Sequence, residues 1–191
     1  MVPEIPVALG IPSPSSQQVI EDYFANYLMD PRLSINETYR YSSRIHARLN
    51  GPVPQEYGKR YDTRTQFERV VDMLKHTPLT NQAVIEIGSP EDLAECWGKD
   101  GKLDPPCLRL IDFKVLPGRV LTLSCYFRSW DLWAGFPVNL GGLELLKQYV
   151  AQETGLENGS MYCYSSGLHI YGYQEELARI RTGITLTSEP S

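Results

Sequence analysis

The clearest hydrophobic patterning lies in three stretches with helical spacing. Val19, Ile20, Tyr23, Phe24, Tyr27 and Leu28 recur at i, i+3 and i+4, with Ser16 placed to cap and Asp30-Pro31 placed to stop, so a helix is predicted from Gln17 to about Leu28. Thr65 caps a second helix carrying Phe67, Val70, Val71 and Leu74 on one side, with Pro78 just past its end. A third holds Leu143, Leu145, Leu146, Tyr149 and Val150 and runs to about Thr154, entered through a predicted turn at Gly141-Gly142. Between and after them the apolar positions shorten to strand patterns. Ala83 to Ile87 reads as a short strand, followed by a helical turn at Ser89-Pro90-Glu91-Asp92 and a polar loop from Gly98 to Pro106. Cys107 to Val115 and Arg119 to Arg128 read as two strands joined through Leu116-Pro117-Gly118, with Leu121, Leu123, Cys125 and Phe127 on one face. Ser160 to Ser166 and His169 to Tyr171 read as strands, and Gln174 to Arg181 as a last helix. Helices and strands alternate without a strict βαβ beat or a Gly-rich phosphate loop, so the pattern predicts an α+β fold, a mixed sheet flanked by helices.

Residues 1–16, rich in Pro and Ser, read as an N-terminal arm, 17–182 as one domain, and 183–191 as a flexible tail. The segment from Leu33 to Arg64 is aromatic, basic and punctuated by Gly and Pro, with weak periodicity, and is expected to be irregular and to line a site.

With 191 residues, the chain has the length of one compact domain with a sizeable core. A net charge of -5 argues against a general grip on a nucleic-acid polymer, while leaving phosphate on a small ligand open. The apolar stretches are interrupted well short of the ~20 residues of a membrane span, and the N-terminus lacks the basic start of an export signal. A soluble, cytoplasmic protein is expected. Cys125 and Cys163 sit inside strand-like runs, where free cysteines are expected as small buried apolar residues rather than disulfide partners. No CxxC or HxxxH spacing suggests a metal.

Cys107 stands apart because it follows Pro105-Pro106 at the mouth of a strand. A thiolate there is a strong nucleophile, and Arg109 offers a route to a lowered pKa; the bland alternative is a core cysteine entering a strand. Arg128, Ser129 and Asp131 bring a guanidinium, a hydroxyl and a carboxylate to a strand end, suited to phosphate or to orienting a thiolate, or alternatively forming a surface turn. Asn139 carries both a donor and an acceptor, which suits the edge of a uracil-like base or, equally, a helix cap. His169 and Tyr171 have period-two spacing and face one side of a strand, as contacts to a sugar or as satisfied core residues.

Taken in order, Pro105-Pro106-Cys107, Arg128-Ser129-x-Asp131, Pro137-x-Asn139, the helix from Leu143 to Thr154 and His169-Ile170-Tyr171 resemble the thymidylate synthase and pyrimidine nucleotide hydroxymethylase family, over roughly Gly51 to Glu176. The likeness is greatest to its short, archaeal-type members, through Tyr39-x-Tyr41 with Arg44 and the region from Ser166 to Tyr171. The resemblance implies a thymidylate-synthase-like mixed sheet, a homodimer, and C5 methylation or hydroxymethylation of a uracil nucleotide such as dUMP, with 5,10-methylenetetrahydrofolate as one-carbon donor. It casts Cys107, Asp131 and Asn139 as catalytic, with Cys107 the nucleophile toward C6 and Asp131 binding the base through its neighbourhood, and Arg128 and Ser129 as phosphate contacts, with Arg128 also holding the cysteine. Asn139 would read the O4/N3 edge, and His169 and Tyr171 would hold the sugar.

Several positions depart from that pattern. Asn81-Gln82 stand where the family has an arginine pair reaching the partner's phosphate site, so phosphate would be met by Arg40, Arg44, Lys59, Arg60 or Arg64, or the substrate is not a simple monophosphate. Leu108 and Gly167 replace a usual histidine and a usual acidic residue. No N-terminal catalytic glutamate segment is recognisable, and Thr182 to Ser191 does not match the hydrophobic tail that closes over folate. The alternative to an enzyme is therefore a homologue without turnover that binds a nucleotide or a protein partner.

Overall fold

The computed structural model describes residues 15–33, 35, 37, 39–49, 64–96 and 105–182. Nearly all of the N-terminal arm, the 183–191 tail, Gly51-Pro52, Lys59, Arg60 and most of the loop before Pro105 lie outside the described residues.

Helix α1 (Gln17–Tyr23) starts where Ser16 accepts from the Val19 N–H. It continues through a wider π-helical stretch, Phe24–Met29, which closes as the Asp30 N–H reaches the carbonyl of Ala25 five residues back. After a short helix α2 (Tyr41–Ile45), helix α3 (Gln66–His76) opens on a reciprocal capping box, with Thr65 Oγ1 taking the Glu68 N–H and the Glu68 carboxylate taking the Thr65 N–H. Strand β1 (Val84–Glu86) and helix α4 (Pro90–Cys96) lead to β2 (Leu108–Leu116) and β3 (Val120–Phe127), which form the predicted hairpin. Next come β4 (Trp130–Asp131), the long helix α5 (Gly135–Thr154), β5 (Glu157–Ser165), β6 (Leu168–His169) and α6 (Gly172–Thr182).

The main sheet has the order β1-β2-β3-β5, with β1, β2 and β3 antiparallel and β5 parallel to β3. This is the expected mixed sheet of an α+β fold. Its inner face supplies Ile111, Phe113, Leu121, Leu123 and Phe127, all fully buried, against Leu143, Leu146 and Val150 of α5 and Val70 and Leu74 of α3. Each such side chain contributes about 1.5–3 kcal/mol by leaving water.

Two expectations are corrected. Gly141-Gly142 is not a turn but lies inside α5, which begins eight residues before Leu143, at Gly135. The glycines are there for approach: a Cβ at Gly141 would stand 2.6 Å from Ile20 Cγ2, and one at Gly142 would stand 2.4 Å from Tyr23 Cδ1, so their absence lets α1 lie directly on α5. Pro137 fits the first turn of α5 because N–H groups there have no helical partner. Cys125 is buried as expected, whereas Cys163, its register partner with Sγ atoms 3.3 Å apart, is exposed because β5 is the outer strand of the described sheet.

The register of β3 against β5 slips by one between Leu121 and Leu123. At this bulge Gly159 comes so close to β3 that a Cβ would stand 2.7 Å from the carbonyl oxygen of Leu121. The Gly159 carbonyl takes a hydrogen bond from Lys147 Nζ, whose charge is balanced 2.9 Å away by Glu144. Lys147 and Glu144 are both buried, and Glu144 also accepts from Asn158 and Gln148. Burial opposes ionisation of Glu144, but these donors and the lysine outweigh it and lower the pKa of its carboxyl.

A second buried charge, Asp92, joins three elements. It accepts from Arg44 at 2.7 Å, from Arg109 at 3.0 Å and from the Ser89 N–H at 2.8 Å. Burial works against its charge, but the Ser89 N–H and the two guanidiniums prevail and hold its carboxyl below the usual range.

Two variants test these buried charges. Lys147→Met leaves Glu144 and the Gly159 carbonyl unpaired and is expected to lower unfolding free energy in urea by about 3–5 kcal/mol, much of it recovered by adding Glu144→Leu. A loss below about 1 kcal/mol would show that the pair does not hold the bulge. Because the folded pKa of Asp92 is depressed, its contribution is present above the unfolded value of about 3.9 and is lost as pH falls through the folded one. Asp92→Asn should therefore cost about 2–4 kcal/mol at pH 7 and flatten that part of the acid limb of the stability profile. An acid limb unchanged by the substitution would assign that limb to other carboxylates.

Candidate functional site

Cys107 lies at the entrance to β2, half-buried, where the backbone N–H of Arg128 at the end of β3 donates to its carbonyl at 2.8 Å. The Arg128 guanidinium clamps the preceding turn through the Pro105 carbonyl, with Nη2 at 2.6 Å and Nε at 3.2 Å. Directly after the cysteine, the Leu108 N–H donates to the hydroxyl of Tyr41 at 3.3 Å. Arg109, expected to act on the thiol, instead reaches over Gly88 to Asp92. Support for the thiol's loop thus comes from Arg128.

Beyond β3 and β5 the two chains stay parallel. The Trp130 N–H donates to the Gly167 carbonyl and the Leu132 N–H to the His169 carbonyl, both at 2.9 Å, so β4 and β6 pair Trp130 with Leu168 and Asp131 with His169. This pairing brings Ser129 Oγ to 2.8 Å from His169 Nδ1. The Asp131 carboxylate turns to the start of α5, taking the N–H groups of Trp133 at 2.9 Å and of Ala134 and Gly135 at 3.3 Å. His169 and Tyr171 meet edge-on with centroids 5.0 Å apart, but the expected strand from His169 to Tyr171 is cut short: β6 ends at His169 and Tyr171 lies beyond it.

Trp130 is buried, its ring stacked on Phe127 at 3.9 Å and tilted against Phe136 at 4.6 Å. Its indole N–H donates to Asn139 Oδ1 at 2.8 Å, and Asn139 Nδ2 donates to the hydroxyl of Tyr23 at 2.8 Å. Asn139 is therefore a residue of α5 held from both ends, not a helix cap.

Six of the eight residues singled out from sequence, namely Cys107, Ser129, Asp131, Asn139, His169 and Tyr171, line one cavity of about 330 Å³. Arg128 sits behind the thiol's loop, and Arg44 lies elsewhere, paired with Asp92. Tyr23, Tyr27, Tyr41 and Trp130 also line the cavity. Sequence reasoning missed Tyr23 and Tyr27 as site residues because an i, i+4 tyrosine pair is indistinguishable from a core stripe until its partner helix is known. Burial pushes the phenols of Tyr23, Tyr27 and Tyr41 upward, so all three stay protonated. No lysine or arginine lines the cavity among the described residues. Arg40 and Arg64, expected as alternative phosphate contacts, pair with Glu37 and with Asp72, the latter at 2.7 Å. A wider cleft of about 400 Å³ between α3 and α5 is lined by charges that also pair, as Lys75 does with Glu153. No cluster of three or more metal-ligating side chains occurs among the described residues.

The model of the thymidylate synthase family matches residues 22–189. The thymidylate synthase of Mycoplasma pneumoniae (strain ATCC 29342 / M129 / Subtype 1) is 29% identical over 140 residues, which cover 73% of this chain and 46% of that relative. Among solved structures, the thermostable thymidylate synthase A from Bacillus subtilis superposes with a TM-score of 0.58 at 22% identity, covering 78% of this chain and 49% of that one, a likeness of fold. The chain thus spans about half the length of these relatives. The family model covers nearly all of the domain, and the cysteine, serine, aspartate, asparagine and histidine of the ordered motifs converge on one cavity; the chain belongs to the thymidylate synthase family.

Proposed function

We propose that this chain transfers a one-carbon unit to C5 of a uracil nucleotide, with dUMP as substrate and methylation as the outcome, through a covalent adduct on Cys107. The reading is carried by one observation: the Cys107 thiol and the Asn139 amide, one able to attack a ring carbon and the other able to pair with a base edge, line the same cavity.

In this reading the Cys107 thiolate adds to C6, and the electron pair of the C5–C6 double bond moves toward O4. C5 then becomes the nucleophile. Charge developing at O4 needs fixed donors, and the cavity wall supplies Asn139 Nδ2 and the protonated phenols of Tyr23, Tyr27 and Tyr41. Ser129 with His169, and Tyr171 beside them, present polar groups suited to the sugar and its phosphate. Asp131 acts at one remove, by fixing the start of the helix that carries Asn139. Arg128 keeps the thiol's turn in place.

Methylenetetrahydrofolate, the co-substrate that the family uses, would supply both the methylene carbon that bonds to C5 and the hydride that reduces it to methyl, ending as dihydrofolate. C5 gives up its proton, and the Cys107–C6 bond breaks to restore the ring double bond. Ala134, just before α5, and Gly135 and Val138 on its first turn form an apolar part of the cavity wall that suits a flat pterin ring. A homodimer is supported by the side chains left uncovered: Tyr162 and Tyr164 on β5 and Tyr173, Leu177 and Ile180 on α6 are all more than half exposed. A reduced thiol at the centre of the chemistry suits the cytoplasm. No helix among the described residues is long and apolar enough to cross a membrane.

The absence of a cation from the described cavity wall favours a second reading, a nucleotide-binding homologue without turnover. Incubation with 5-fluoro-dUMP and methylenetetrahydrofolate separates the two. The enzyme reading expects a ternary adduct by intact mass, mapped to the Cys107 peptide and lost in Cys107→Ser, with tritium release from [5-³H]dUMP reduced at least about a thousandfold in that variant. Nucleotide binding without adduct or tritium release would leave the second reading standing. Sedimentation is expected to give twice the mass of the chain, and a monomer at micromolar concentration would rule out the homodimer.

A further inference from the structure

The hydrogen bonds around Asn139 have a direction. An amide can turn end for end, offering a donor or an acceptor at either position, and the choice is settled by a neighbour that can play only one role. Trp130 is such a neighbour. Its indole nitrogen only donates, so the Asn139 atom 2.8 Å away is Oδ1, and the other end of the amide is the NH₂ group. That NH₂ donates to Tyr23 at 2.8 Å, which makes the phenol oxygen an acceptor there and leaves the Tyr23 proton to be given elsewhere. Among the described residues no acceptor takes that proton, and Tyr23 lines the cavity. The chain therefore runs one way, from Trp130 through Asn139 to Tyr23, and ends on a donor at the cavity wall.

We propose that Trp130 is a positioning residue that locks the Asn139 amide in one orientation, and that Tyr23, at the end of the chain it directs, is the specificity-determining donor that selects a pyrimidine with a 4-oxo group over one with a 4-amino group. This rests on the reading of the cavity as a pyrimidine-nucleotide site. A 4-oxo group accepts from Tyr23 and from the second proton of Asn139 Nδ2, whereas a 4-amino group would set donors against donors. Reversal of the amide to suit the amino group would point its NH₂ at the indole N–H, leaving two donors face to face in a buried place. The ring of Trp130 is held on Phe127 and Phe136, so it does not simply swing away. Gly142 belongs to the same device, since a side chain there would displace the Tyr23 ring.

Calorimetric titration of the full-length protein with dUMP and with dCMP tests this, using Trp130→Phe, which keeps the stacked ring and removes the N–H, and Tyr23→Phe, which removes the terminal donor. The wild type is expected to prefer dUMP. Tyr23→Phe should weaken dUMP about tenfold while leaving dCMP nearly unchanged, and Trp130→Phe should shrink the dUMP:dCMP preference by about tenfold through tighter dCMP as well as weaker dUMP. A merely structural role would weaken both nucleotides together. If Trp130→Phe fails to fold, Tyr23→Phe alone decides the matter. A dUMP:dCMP ratio unchanged in the folded variants overturns the proposal while the pyrimidine reading stands. A wild-type protein that binds neither nucleotide overturns that reading, and the proposal with it.

Discussion

The placing of Ser129, Trp130, Asp131 and His169 around the cavity depends on the register between the chain leaving β3 and the chain leaving β5. From Leu123 onward the pairing is constant: Cys125 with Cys163, Phe127 with Ser165, Trp130 with Leu168 and Asp131 with His169. Before the bulge, Val120 and Leu121 follow a register one residue different. Side chains alternate across a strand, so a slip of one residue would turn His169 away from Ser129 and exchange the inward and outward faces. The one-residue slip is therefore what aims the site, and it is stabilised where it occurs. Gly159 permits the close approach, and Lys147 takes the Gly159 carbonyl. Glu144 balances a lysine that would otherwise be buried as a bare charge.

The disposition of charge follows a similar logic. The described guanidiniums nearest the site are committed to structure: Arg128 to the turn before Cys107, and Arg44 and Arg109 to Asp92. Asp131, the carboxylate on the cavity wall, faces three backbone N–H groups at the start of α5. What remains toward the cavity is a thiol, an amide, hydroxyls, an imidazole and phenols that burial keeps protonated. In a chain of net charge -5, the described part of this wall therefore offers hydrogen bonds rather than opposite charge to an anionic ligand.

How much of this could be read beforehand depended on the range of the interaction. Local signals were legible: the Ser16 cap, the Thr65 start of α3 and the hairpin at Pro117-Gly118 each depend on residues within a turn of one another. The ordered motifs also picked out six residues that share the cavity, because a family pattern carries long-range information that periodicity does not. Illegible were features decided by a distant neighbour. Gly141-Gly142 reads as a turn until Ile20 and Tyr23 are known to rest on it, and Cys163 reads as core until β5 is seen to be an outer strand. Arg44 reads as a phosphate contact until Asp92, 48 residues away, is found beneath it.

Tyr23 shows why such residues escape a pattern-based reading. Its ring behaves as the apolar spacing says, packing on α5 and stacking 5.2 Å from Tyr27. Its oxygen belongs to a different system, the chain from Trp130 through Asn139, which is assembled only once β4 and α5 are side by side. The same side chain thus serves the core with one end and the cavity with the other, as tyrosine can because its polar atom lies at the tip of an apolar body. A substitution that respects the pattern, such as phenylalanine, would preserve the first role and remove the second. The packing of α1 on α5 and the polarity of the site are consequently separable, although a single residue carries both.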